Sequence, residues 1–279
     1  MPGYKGRVPT DDLGDRMKMY EAGTADRLMP FLPVLARLDG KSFHSFCRGL
    51  EKPFDPRFVL AMQDVTKWLV HKTGAVAGYV QSDEISLLWG IDEPNSQKVF
   101  FDRRVQKMVS ILAALASVRF NQVIPQEILA EGNPENPPVF DCRVWVVPNQ
   151  TEAANTFLWR VEDAKSNSVQ AVGHKHFSHN QLYKVKNHEI VEKLRTEKNV
   201  DWEAFPPHLR FGMFYQRKEV SRPFTATELK KLPPKHKAHS DPNLQIVRQD
   251  IVEMPMQDFI FIKNRVGVLF NGEDFQVGV

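Results

Sequence analysis

Cysteine is nearly missing from this chain, which has only Cys47 and Cys142 among its 279 residues. Two cysteines are too few for a disulfide scaffold, and they lack the spacing of a zinc-binding pair. A reducing compartment, and hence the cytoplasm, is the expected location. Excess charge is missing too, because 37 Lys and Arg nearly balance 34 Asp and Glu to give +3. Any binding of nucleic acid must therefore come from local basic clusters rather than from a basic chain.

Long apolar runs are also missing. The longest, Ile111 to Val118, is far shorter than the roughly 20 residues that cross a bilayer. The segment Met1 to Tyr20 is charged and lacks the apolar core of a signal peptide. With 42% hydrophobic residues the chain can bury one large core. We expect an N-terminal arm over residues 1–30, a main domain with helical insertions over 31–220, and a C-terminal extension over 221–279 that packs on it.

Acidic residues follow runs of strand type at two places. Val34 to Leu38 leads into Asp39, and a hairpin within Ala75 to Trp89 carries Asp83 and Glu84 at its tip. Burying a carboxylate at a strand end is costly unless a cation compensates it. Mg²⁺ prefers hard oxygen ligands together with substrate phosphates, so these acids suggest a magnesium site.

A helix separates the two acidic motifs. Asp55 to His71 has apolar residues at helical spacing, namely Phe58, Met62, Val65 and Leu69. The local order is therefore β-α-β-β. In a split βαβ (ferredoxin-like) fold the third strand lies between the first two, which predicts that Asp39 and the hairpin tip share one sheet edge. We expect an α/β fold of the α+β type, with three converging carboxylates and helices on one face of an antiparallel sheet.

The same residues permit a simpler interpretation. Asp-Gly after a strand is commonly a turn, and Ser-Asp-Glu at a hairpin tip is commonly solvated. The joint pattern is less easily explained by turns alone, because Gly40 lets a ligand approach the backbone and Lys41 to His44 can offer amides and polar groups to a triphosphate. From these residues alone, both interpretations stay open. Two metal ions held there would suit an in-line phosphoryl transfer.

Several motifs together resemble the tRNA(His) guanylyltransferase family and its bacterial and archaeal guanylyltransferase-like relatives. The motifs are Arg37 to Phe46, Lys52-Pro53, Gln81 to Glu84, Phe140 to Arg143, Trp159-Arg160 with Asp163, and Pro206 to Gly212. The resemblance covers roughly residues 30 to 220. It implies a polymerase-like palm that adds nucleotides in the 3′-to-5′ direction to the 5′ end of tRNA. It also implies ATP for activating the tRNA 5′-monophosphate, GTP as the added nucleotide, two Mg²⁺ ions, and a homo-tetramer.

The resemblance also implies a role for individual residues. Asp39, the Gly40 carbonyl and Asp83 would bind metal, with Glu84 beside them as a further catalytic acid. The nucleotide would be lined by Lys41, Ser42, Phe43, His44 and Ser82. A second triphosphate or the tRNA end would meet Lys52, Arg104, Lys107, Arg143 and Asn167.

One segment departs from the eukaryotic pattern. Where eukaryotic members carry His-x-x-Asn-Asn, this chain has Lys165-Ser166-Asn167-Ser168. That is more similar to the bacterial branch, which is associated with template-directed repair of truncated tRNA 5′ ends. A lysine at this position would act as a flexible charge. Alternative functions are another palm enzyme, such as a nucleotide cyclase or forward polymerase, and a non-catalytic RNA-binding module, although the latter would want aromatic residues on its central strands.

Two other clusters leave alternatives open. His174 to His179 could bind zinc but lacks paired cysteines, so surface or RNA-contacting histidines are favoured. Lys230 to Lys237 is either a solvated loop or a phosphate contact. The remaining expectations are helices over Asp12 to Glu21, Val99 to Phe120 and Thr151 to Gln170, a loop over Asn133 to Pro138, a strand over Phe140 to Val147, an irregular Ser221 to Pro242, and a strand or hairpin over Phe259 to Phe270.

Overall fold

In the computed structural model, which describes residues 13–23, 25–90, 99–131 and 137–278, six strands form one antiparallel sheet. The strands are β1 (Val34–Gly40), β2 (Ala77–Gln81), β3 (Glu84–Trp89), β4 (Phe140–Val146), β5 (Met213–Pro223) and β6 (Gln245–Pro255). Their order across the sheet is β4-β1-β3-β2-β5-β6.

The first four strands have the order predicted from the sequence. β3 lies between β1 and β2 and is antiparallel to both. β4 pairs with the other edge of β1, which completes a ferredoxin-like sheet. β5 and β6 extend this sheet beyond β2. The predicted α+β class is therefore confirmed.

Eleven α-helices lie within the described ranges. They are α1 (Leu13–Ala22), α2 (Phe43–Phe46), α3 (Pro56–Thr73), α4 (Val105–Val123), α5 (Gln126–Glu131), α6 (Gln150–His176), α7 (His179–Leu182), α8 (Asn187–Lys198), α9 (Pro207–Arg210), α10 (Ala226–Lys231) and α11 (Arg265–Asn271). Local sequence sets the bounds of α3. The side chain of Asp55 accepts a hydrogen bond from the Arg57 amide, Pro56 occupies the first turn, and Gly74 ends the helix in the left-handed conformation.

Helices cover both faces of the sheet, so the predicted placement of the helices on one face is wrong. The crossover helices α3 and α4 pack on one face, around residues such as Leu38 and Leu112. The later helices α6, α8 and α11 pack on the other, around residues such as Leu35 and Phe157. Because both faces are covered, β2 and β3 are buried along their whole length. Within the described residues, no helix is at once long and apolar enough to cross a membrane.

The structure corrects three of the predicted elements. α4 begins at Val105 rather than Val99, because Phe101, Asp102 and Arg103 have positive φ and form a separate 3₁₀ turn. α6 continues to His176, so the predicted end at residue 170 is too early. The segment predicted as a strand or hairpin over 259–270 is instead a 3₁₀ turn followed by α11. Its apolar residues pack in the core beneath α6. A short apolar run can be buried either as a strand or as a helix, so the sequence pattern does not distinguish the two.

The segment predicted to be irregular, 221–242, is partly regular. β5 continues to Pro223, and α10 and a 3₁₀ turn at Lys237–His239 follow. The far half of β5 pairs only with β6, so the two strands form a ribbon that leaves the sheet and carries the basic loop at its end. The predicted boundary at residue 220 falls inside β5. The predicted loop 133–138 lies mostly outside the described residues, as does the start of the predicted arm.

Candidate active site

A row of acidic side chains crosses the sheet at the ends of three strands. Asp39 on β1 is directly opposite Glu84 on β3 and Asp141 on β4, and Gln81 on β2 continues the row. Side chains alternate between faces along a strand, so all four are on the face that α6 covers. Like charges directly opposite each other destabilise a sheet, so this row needs cations nearby.

Asp83 reaches the same place from the β2–β3 turn. Ser82 adopts a φ of 48° there, and its hydroxyl donates a hydrogen bond of 3.0 Å to the Asp83 carboxylate. The Gly40 amide donates to the Asp83 carbonyl oxygen at 3.1 Å and so joins the turn to the end of β1. Burial raises the pKa of Asp83, and the nearby Asp39 raises it further. The structure thus brings together Asp39, Gly40 and Asp83, whose carboxylates and carbonyl fit a hard divalent cation.

Glu84 differs from the prediction, because it does not join the two aspartates as a third free carboxylate. It is 7% exposed, and Arg160 Nε donates to its Oε1 at 2.6 Å. Arg37 Nε lies 3.6 Å from its other oxygen. Burial raises the pKa of Glu84, while Arg160 counteracts this. Across the described ranges there is no group of three or more His, Cys, Asp or Glu side chains placed to hold a metal ion.

Arg160 is a site residue that received no role from the sequence. Its guanidinium is buried, and besides Glu84 it donates to Asp163 Oδ2 at 2.6 Å. Asn167 donates to the same carboxylate oxygen at 3.1 Å. A polar chain therefore runs from the acidic row along α6. The i, i+3 spacing of Arg160 and Asp163 in the sequence indicates that these two side chains can pair on one face of a helix. The pairing of Arg160 with Glu84 depends on where α6 crosses the sheet, which the sequence does not show.

The segment after β1 is anchored by an aromatic side chain. Lys41, Ser42 and His44 are exposed, whereas Phe43 is 2% exposed and packs in the core. A Cβ on Gly40 would come within 2.4 Å of the Phe43 ring, so glycine is required there. Phe43 can therefore meet a nucleotide only through its backbone.

A cavity of about 260 Å³ opens beside the Ser82 turn. Lys52 and Asn167, both expected near substrate, are part of its lining. Cys47 lines it too, and burial raises the pKa of this thiol to about 12, so it stays protonated at neutral pH. Other lining residues include Phe54, Phe58, Met62, Gln81, His208 and Met213.

The predicted basic residues are not all near the aspartates. Arg143 is exposed on β4 and lies 3.5 Å from Asp141, at the acidic row. Arg104 and Lys107 begin α4, at the opposite end of the sheet. The turn before them stacks on Trp89, the last residue of β3, with ring centroids 6.4 Å apart. Trp89 pairs with the start of β1, five residues or about 17 Å of strand away from the site.

Lys165 is not a free charge. Its Nζ lies 2.6 Å from Asp258 Oδ2, which ties α6 to the C-terminal segment. In the histidine-rich segment the rings of His174 and His179 stack with centroids 6.0 Å apart. His174 lies near the far end of α6 and His179 begins α7, so these histidines take no part in the acidic row.

The fold and the site together define a class of protein. A ferredoxin-like sheet with one aspartate at a strand end and a second in the adjoining turn, beside a cavity, has the arrangement of a palm domain, which nucleotidyltransferases, polymerases and nucleotide cyclases share. A family model described as tRNA(His) guanylyltransferase matches residues 14–148. A structure of a bacterial tRNA(His) guanylyltransferase-like protein in complex with ATP is 35% identical, with a TM-score of 0.67 over 73% of this chain and 87% of that one. The chain belongs to the tRNA(His) guanylyltransferase family.

Two further proteins support this membership. A bacterial tRNA(His) guanylyltransferase-like protein in complex with GTP is 27% identical, with a TM-score of 0.66 over 90% of this chain and 94% of that one. The tRNA(His) guanylyltransferase of Schizosaccharomyces pombe is 30% identical over 55% of this chain and 56% of its own length. The chain thus spans little more than half of this curated relative. The predicted family is confirmed, and the two bacterial structures are consistent with the predicted branch.

Proposed function

We propose that this protein is a Mg²⁺-dependent nucleotidyltransferase that adds nucleotides in the 3′-to-5′ direction to the 5′ end of tRNA. The observation that carries the proposal is the meeting of Asp39, Gly40 and Asp83 beside a cavity, in a chain of this family. Bound Mg²⁺ would stabilise charge that develops on the transferring phosphoryl group. The chain itself holds one carboxylate at the end of β1 and the other in the β2–β3 turn, and it keeps Glu84 turned towards Arg160.

The cavity is the natural place for the nucleoside of ATP or GTP. Its lining combines apolar residues with a few polar groups, which suits an aromatic base with a polar edge. The phosphates would then extend past Ser82 towards the exposed Lys41, Ser42 and His44. The first amides of a helix have no intrahelical acceptor, so the amides around Phe43 can donate to phosphate oxygens.

The remaining basic residues divide into two groups by position. Lys52 and Asn167 at the cavity and Arg143 at the acidic row can reach a second triphosphate or the tRNA end within one chain. Arg104 and Lys107 cannot, so their expected role requires another copy of the chain. The expected homo-tetramer would supply it. Mixing an Asp39→Ala chain with a Lys107→Ala chain tests this, because shared sites would regain activity that neither variant has alone.

The substrate we propose is a 5′-truncated tRNA that is extended by copying the opposite strand. The bacterial-like sequence around Asn167 motivates this, and Lys165, being paired, offers no free group for recognition at that spot. Competition among truncated tRNAs and a full-length histidine tRNA, scored by 5′ addition, measures the preference. A strong preference for full-length histidine tRNA that is lost when its anticodon changes would restore the narrower guanylyltransferase function.

The decisive experiment removes each aspartate. Asp39→Ala and Asp83→Ala should each lower 5′ addition by a factor on the order of 10³ or more, because several kcal/mol of charge stabilisation are lost. Asp274→Asn is the matched control, since the Asp274 side chain is 83% exposed and its one salt bridge among the described residues is with Lys218. Products are resolved by end-labelled tRNA with ATP, GTP and Mg²⁺. Near-normal addition by either folded variant would contradict the site, and extension at the 3′ end or a cyclic nucleotide product would contradict the reaction.

A further inference from the structure

An exposed tryptophan, Trp159, contacts the two arginines that pair with Glu84 in the acidic row. Trp159 on α6 is 56% exposed although it is a large aromatic residue. The Arg160 guanidinium lies 4.3 Å from the centre of its ring system, and that of Arg37 lies 5.6 Å away. Side chains of this size usually bury most of their surface, so an exposed ring held by two cations needs an explanation.

The ring is held in place rather than loose. The side chains of Arg160 and Arg37 are 7% and 15% exposed, and both contact Glu84. The two cations that contact the ring are buried while Trp159 itself stays 56% exposed, so they leave much of the ring open to solvent. Contact with cations limits the motion of the ring without covering this surface. The result is a flat, pre-oriented aromatic surface.

The position of this surface relates it to the reaction. Arg37 precedes Asp39 on the same face of β1 and is separated from it by roughly 7 Å of strand. Trp159 is not part of the cavity lining, so it lies outside the place proposed for the nucleoside. Arg143, whose side chain is 55% exposed, projects from the same face of the sheet, two residues along β4 from Asp141. A nucleotide can therefore stack its base on the Trp159 ring while its phosphate pairs with the exposed Arg143 on the same face of the sheet.

We infer that Trp159 is a stacking platform for the base at the 5′ end of the RNA. This inference rests on the proposed function. A flat, open ring gives too little enclosure for a free nucleotide, whereas the end of a base-paired stem presents a flat face that needs one stacking partner. Trp159 is therefore a positioning residue that places the 5′ end near Asp39 and Asp83.

The test uses an RNA hairpin that mimics an acceptor stem and carries 2-aminopurine as its 5′-terminal base. Stacking on tryptophan should quench the emission when wild-type protein binds, without nucleotide or Mg²⁺. Trp159→Ala should abolish this quench and raise the KM for the RNA by roughly tenfold or more, while the Kd for ATP stays unchanged. Trp159→Phe should retain much of the quench. Tyr183→Ala is the matched control, since Tyr183 is 63% exposed with the Lys184 ammonium 5.2 Å from its ring.

The outcomes separate this inference from the proposed function. If the wild type extends the hairpin but Trp159→Ala quenches equally, the stacking role is wrong and the function stands. If the quench depends on Trp159 but no nucleotide is added, the function fails and the stacking role stands. A loss of ATP affinity in Trp159→Ala with RNA affinity intact would assign the ring to the nucleotide and overturn the inference.

Discussion

Replacing Arg160 by methionine should destabilise the protein more than any other single change at the site. Arg160 Nε lies 2.6 Å from Glu84, and both residues are nearly inaccessible to water. Without Arg160, the one salt-bridge partner left to Glu84 in the part of the chain that the structure describes is the more distant Arg37. Leaving one buried charge without its partner costs about 3–5 kcal/mol of unfolding free energy. Glu84→Gln should cost less, because Arg160 keeps Asp163.

Urea unfolding followed by circular dichroism at pH 7 measures these costs. The control is Arg195→Met on α8. Arg195 has a half-exposed side chain, and its salt-bridge partners among the described residues are all exposed acids. Such pairs contribute about 0–1 kcal/mol. The double variant Arg160→Met/Glu84→Gln should recover part of the loss, since the uncompensated charge is gone. A cost below about 1 kcal/mol for Arg160→Met, similar to that of the control, would refute the claim that Glu84 depends on this arginine.

Three further predictions concern stability. Hydrogen bonds from Arg57 hold the pKa of Asp55 well below its usual range, so its stabilisation is present above about pH 4 and fades as the pH falls. Asp55→Ala should therefore cost about 1–2 kcal/mol in urea unfolding at pH 7 and progressively less in acid. Gly212 has a φ of 84° and a Cβ there would lie 2.5 Å from a carbonyl oxygen, whereas a Cβ on Gly49 would meet nothing within 4 Å. Gly212→Ala should lower the Tm by several degrees and Gly49→Ala should change it little. Lys165→Met should lower the free energy of unfolding by about 1 kcal/mol. It should leave the salt dependence of RNA binding unchanged, because the Lys165 ammonium is already paired with Asp258.

The order of β1, α3, β2 and β3 was predictable, because it follows from the spacing of apolar and acidic residues along the sequence. A strand with Asp39 near its end and a hairpin with Asp83 at its tip, separated by one amphipathic helix, leave few topologies that can bury their apolar faces. The pairing of Glu84 with Arg160 was not predictable, because it depends on how α6 crosses the sheet. β6 was missed because it is half exposed and rich in polar residues. The positive φ angles of Phe101 and Asp102, which delay the start of α4, were not predictable, because neither residue is a glycine that would signal them.

The burial of Phe43 connects the exposed residues Lys41 to His44 to the interior. Its ring contacts Phe58, Phe120 and Phe140, with centroids 5.0–6.0 Å apart. Phe120 does not line the cavity, but a substitution such as Phe120→Leu loosens the aromatic cluster that supports it. Such variants should behave as conditional alleles, which keep their fold and lose nucleotide affinity on modest warming. Residues that never touch substrate would then be recovered in genetic screens for lost activity.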